Sequence, residues 1–139
     1  MRSDRGSTTL ELVVWAPVLL LIMSVIIYAG RVAQAQQTVQ AAASEAARAA
    51  TAASDRHQAG IQARAAAMAA MESAGLRCAG SQVAVETGQW ALPAGQAGTV
   101  TATIACDVSL HDLIAPGIPG HRSVRADASS VLDTYRERS

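Results

Sequence analysis

The spacing of apolar and polar positions changes several times along the chain and divides it into elements. Residues 1–6 are polar and carry Arg2, Asp4 and Arg5. Four uncharged residues lead to Glu11, and an apolar run without a charge then extends from Leu12 to Ala29. These 18 residues would rise about 27 Å as a helix, close to the hydrocarbon thickness of a bilayer. The pattern predicts a transmembrane helix over 7–30. Pro17 lies inside it, removes a backbone donor and crowds the preceding turn, so a kink is expected there. Past Arg31 the hydrophobicity falls but the period continues. Val32, Ala35, Val39, Ala42, Ala46, Ala50 and Ala53 recur at spacings of three and four, opposite Gln34, Gln37, Ser44, Glu45, Arg48 and Ser54. This predicts an Ala-rich amphipathic stalk helix over 31–55. Its narrow stripe of small residues suits two roles, packing against another helix or covering the chain's own domain. Uninterrupted from Ser7 to Ser54, the helix would be about 72 Å long.

The remaining residues, 56–139, read as a small α+β domain. Asp55 to Gln58 can form a capping box that opens a second helix, and Gly75 supplies its stop after Ser73. Ile61, Ala65, Met68 and Met71 are expected on its packed side. After Leu76 the period shortens to two. Gln82 to Thr87 alternates with Val83 and Val85 on one face. Thr99 to Ser109 places Val100, Ala102, Ile104, Cys106 and Val108 on one face and is the clearest strand. Gly88, Pro93, Gly95 and Gly98 mark a loop between these two. Pro116, Gly117, Pro119 and Gly120 mark another, and a third strand is expected over Arg122 to Tyr135 with Val124, Ala126, Ala128 and Ser130 inward. Tyr135 to Ser139 should fray. The fold class is therefore α+β: a long N-terminal transmembrane and stalk helix, a second helix and a three-stranded antiparallel sheet. So small a sheet is marginal alone and needs the helix against one face.

Composition narrows the function. Phe and Lys are absent, aromatics make up 3% and the formal net charge is zero. Without a basic block or an aromatic cluster there is no case for a nucleic-acid partner. Alanine dominates and buries little area, so the head should be thinly packed. Cys78 and Cys106 form an even pair far beyond the membrane segment and read as a disulfide, the alternative being two unpaired thiols. Bridging them would close a loop of about 29 residues, worth about 3 kcal/mol in the loop-entropy picture. His57, His111 and His121 have no metal-ligand spacing with the cysteines, and no nucleophile, phosphate-loop or zinc-protease motif occurs. Neither an enzyme, a metal, a cofactor nor a small-molecule substrate is expected.

Glu11 is the exception among the dispersed carboxylates. A carboxylate at the start of a membrane segment is costly. It could snorkel to the headgroups, or meet a positive group within a helix assembly. Were the chain cut between Gly6 and Ser7, the new ammonium would lie about one helical turn from Glu11. On a neighbouring subunit it would offset much of the cost of burying the carboxylate.

Arg-Gly-Ser-Thr-Thr-Leu-Glu at Arg5 to Glu11, followed by the apolar run through Ala16, Pro17 and Leu19 to Leu21, resembles the start of type IV prepilin-like proteins. The likeness is to TadE-like minor pseudopilins of the Tad (Flp, type IVc) pilus system. Tyr28 to Arg31 before an Ala-rich helix, and the final strand near Arg122 to Ala128, are similar as well. Leu12 departs from the family, which often has an aromatic after the Glu. The resemblance implies a pilin-like fold and a leader at 1–6 cut after Gly6 by a membrane prepilin peptidase. Ser7 would then be the mature first residue and Glu11 an assembly residue. It also implies pilus subunits and Tad assembly platform proteins as partners. The amino terminus would be cytoplasmic, the chain single-pass in the cell membrane and the C-terminal domain extracytoplasmic. Two rivals stand beside it. Ala33-Gln34-Ala35 looks like a signal-peptidase site and would make this a secreted protein. A single-pass envelope accessory protein that never polymerises is the other.

Overall fold

The structure, a computed structural model, describes residues 7–93, 95–109 and 120–133, with side chains from Val13 onward. The leader at 1–6, the Pro/Gly loop before Gly120 with His111, and the tail from Tyr135 lie outside the described residues.

Helix α1 spans Ser7–Ala52, 46 residues, and at 1.5 Å per residue it is about 69 Å long. It ends two residues before the expected Ser54. Helix α2 spans Arg56–Ser73. Asp55 sits in extended backbone before it, and its Oδ1 accepts from the Gln58 N–H at 2.8 Å, so the N-terminal donor is satisfied as the motif foretold. At the far end the Gly75 N–H donates to Glu72 O and the Leu76 N–H to Met71 O, both at 2.9 Å. These paired bonds need a left-handed residue between them, and Gly75 has φ +71°.

Three strands follow: β1 Cys78–Glu86, β2 Gly98–Ser109 and β3 His121–Leu132. They form an antiparallel meander in the order β1-β2-β3. Val83 stands opposite Ile104, and Ile104 opposite Ala126, so the apolar positions share one face. Along β2 every second residue from Gly98 to Val108 is buried, and in β3 Val124, Ala126 and Leu132 are buried with Ala128 and Ser130 half-buried. The expected inward faces of both strands are the observed ones. Strand β1 starts four residues before Gln82, because a register irregularity between Cys78 and Gly80 carries pairing past the point where alternation stops.

Helix α1 packs on α2 and on β2 and β3. Ala35, Val39, Ala42, Ala46, Ala50 and Ala53 are buried, and so are Ala43 and Ala47 in a second row beside them. Two adjacent rows let one helix serve two partners. The stripe of small residues therefore covers the protein's own head. Helix α2 answers with Ala59, Ala63, Ala67 and Met71, one residue per turn. This corrects the expectation for α2. Ile61 and Met68 are about half exposed and Ala65 is exposed; of the four expected residues only Met71 is buried. The physical reason is approach distance. Facing alanines let two backbones come close along most of the seam, which Met71 closes at its end, whereas Ile61 and Met68 within it would hold them apart.

Polar groups tie the layers at the edges. Gln40 Nε2 donates to Asp127 O at 2.9 Å, and the Thr51 and Ser130 hydroxyls lie 3.3 Å apart. In the first loop a short 3-10 turn, Gly88–Ala91, buries Trp90. Gln89 Oε1 holds this turn to β2 by accepting from the Thr99 N–H at 2.6 Å.

The face assignment predicts opposite outcomes for two apolar changes on α2. Ala63→Leu should cost about 1–3 kcal/mol by forcing the helices apart. Ile61→Ala should stay within about 0.5 kcal/mol. Urea unfolding of the full chain in detergent measures both, and equal effects would contradict the packing.

Candidate membrane and assembly segment

The first half of α1 differs from everything after it. From Val13 to Ile27 the large apolar side chains are open, with Val13 65%, Leu20 69% and Ile27 51% exposed. No other described element packs on them. A contiguous apolar surface of this extent is foreign to a water-soluble monomer. The polar interruption at Ser24 is neutralised locally, since its Oγ donates to Leu20 O at 2.7 Å. Apart from the donor that Pro17 lacks, the backbone bonds run within the helix, as a lipid-exposed segment requires. The described part of the helix is long and apolar enough to cross a membrane once.

The change from bare to packed helix is abrupt. Tyr28 is half-buried and its Oη receives the Arg122 guanidinium at 3.4 Å. Val32 joins the core next, then Ala35 and Val39. An aromatic at this boundary, followed by Arg31, is the arrangement that suits a bilayer interface.

The residues singled out in the sequence fall at separate places. Ser7 is the first residue of α1 and Glu11 lies about one turn on. The side chain of Glu11 and the whole of Gly6 lie outside the described residues. Helix α1 runs through Pro17 as one element. Cys78 and Cys106 are joined in a disulfide with Cα atoms 5.4 Å apart, linking the start of β1 to β2. Cys106 is fully buried, and the Met71 sulfur lies 3.7 Å from that of Cys78. Among the described residues no three His, Cys, Asp or Glu side chains group together. Two features had no signal in the sequence. The Tyr28–Arg122 contact joins residues 94 apart, and Trp90 came from a segment that read as a plain loop.

A bare apolar helix running on into the core of a small α+β head has, by length and composition, the form of a single-pass membrane protein. The model of the TadE-like protein family matches residues 6–48. The match starts at Gly6 and takes in the membrane half of α1 and most of the packed half. Residues 49–139 lie beyond the match. No curated protein and no solved structure matches the chain.

The disulfide makes a prediction about stability alone. Reduction should remove about 3 kcal/mol of unfolding free energy and leave the protein in the membrane. Alkylation should label both cysteines only after reductant. Labelling of the unreduced folded protein would contradict the bridge.

Proposed function

We propose that this protein is a minor pseudopilin that acts in assembly of a Tad/Flp-type pilus. In this reading the leader at 1–6 is removed after Gly6 by a prepilin peptidase. Ser7 becomes the first residue, and the helix stays in the membrane until the subunit joins an assembly. The observation that supports this best is the division of labour along α1. The stalk stripe is consumed by the protein's own head, and the open surface on Val13 to Ile27 is left to lipid or to other helices. Contacts with pilus subunits therefore concentrate in the membrane half.

Glu11 sets the register of such contacts. Buried among apolar helices its carboxylate requires a cation, and the Ser7 ammonium of a neighbouring protomer supplies one at the same level of the helix. The apolar side chains provide area, and the charge pair selects one alignment from many similar ones. Pro17, by loosening the backbone one to two turns later, lets the helix bend to fit the bundle. The head stands on the extracytoplasmic side, where its disulfide forms.

Two measurements test this reading. Mass spectrometry of the protein from its native host should find Ser7 at the amino terminus. Met1 would mean an unprocessed anchor, and Gln36 a secreted protein. Glu11→Ala should leave membrane insertion intact and reduce co-purification with pilus components at least tenfold, the loss expected for about 1.4 kcal/mol or more. Unchanged co-purification and piliation would favour the accessory protein that does not polymerise.

A further inference from the structure

The topology gathers three arginines that are distant in sequence at the membrane-facing end of the head. Arg31 stands two residues beyond the apolar run. Arg77 follows the glycine stop of α2. Arg122 lies near the start of β3 and reaches Tyr28 on α1. Arg31 and Arg77 line a groove of about 630 Å³ together with Gln34, Thr38, Gly75 and Val108. The groove thus has guanidinium, amide and hydroxyl groups beside an apolar wall.

Its height is the informative feature. From Arg31 to Thr38 the helix rises about 10 Å, beginning where the hydrocarbon-spanning segment stops. The headgroup layer of a bilayer occupies about 5–8 Å on each side of the hydrocarbon. The groove therefore opens at the depth of the lipid phosphates. Arg31 is also engaged within the chain. Arg77 has no hydrogen-bond or ion-pair partner among the described residues. Glu72 shares an adjoining groove of about 480 Å³ with Arg77 and forms no ion pair with it. Among its described lining residues the groove has two guanidinium groups and no carboxylate, and at this level that fits the phosphodiester of an anionic phospholipid, with an acyl chain descending along the exposed face of α1.

We infer that the groove between Arg31 and Arg77 binds an anionic phospholipid headgroup and fixes the head against the bilayer. The inference rests on the membrane-spanning part of the proposed function, and it does not depend on processing or polymerisation. Binding at this point restrains the joint between α2 and β1, beside the disulfide.

Hydrogen exchange on the full chain in nanodiscs tests it. Discs of phosphatidylcholine alone are compared with discs of rising phosphatidylglycerol content, following amides of Ala74 to Arg77 and of Val13 to Ala29. Slower exchange at 74–77 with phosphatidylglycerol is expected. Arg77→Gln should raise the half-effect content about fivefold, the weight of one arginine near an anionic surface. Inorganic phosphate added to phosphatidylcholine discs should not reproduce the protection. Equal exchange in both lipids, indifference to Arg77→Gln, or full protection by phosphate alone would each overturn the lipid site. Fast exchange at 13–29 in every disc would instead overturn the membrane span itself.

Discussion

One helix here has to satisfy two solvents. The first half of α1 exposes Val, Leu and Ile on all sides, and the second half presents alanine to its own head. No loop or hinge element separates the halves, because α1 is continuous from Ser7 to Ala52. The backbone bonds that a bilayer demands are therefore the same ladder on which the head is built. Everything else follows from this sharing. The head cannot turn independently of the membrane helix, and its orientation is set where Tyr28 and Val32 enter the core.

Alanine is the material of the soluble contact. Ala42, Ala46 and Ala50 on α1 and Ala59, Ala63 and Ala67 on α2 are all fully buried. Each contributes little apolar area, so the gain comes from close approach and many dispersion contacts rather than from large side chains. Most of the largest fully buried side chains come from the sheet, Ile104, Val100, Val108 and Cys106, with Val39 added from α1. Such a core is sensitive to any increase in size. It also explains why a covalent bridge between β1 and β2 matters in a head of this size.

Much of this was legible in the sequence. The apolar run and the stripe from Val32 to Ala53 carry helical spacing strong enough to survive any context, and Val100 to Val108 alternates without a break. Asp55 and Gly75 declared the ends of α2 through cap and stop chemistry. Its packed face was not legible. In an alanine-rich helix several rows are equally small, and hydrophobicity favours Ile61 and Met68, which the close seam excludes. The start of β1 was hidden because Cys78 to Ser81 has no alternation and contains a bulge. The arginine groove has no sequence signal, since Arg31, Arg77 and Arg122 meet only through topology. The part played by Glu11 belongs to contacts between chains, which the fold of one chain does not contain.

The division of α1 into a lipid-facing half and a head-facing half is most directly measured by nitroxide labels placed singly from Val13 to Val39 in the isolated protomer in a bilayer. Collision rates with oxygen and with a water-soluble nickel complex report the surroundings of each label. The account predicts uniformly high oxygen and low nickel collision rates through Ile27, without helical periodicity. A periodic pattern should follow, with protected positions at Val32, Ala35 and Val39. Periodic shielding within Val13 to Ile27, or nickel access along that half, would contradict a helix that passes bare through lipid before it becomes the core of the head.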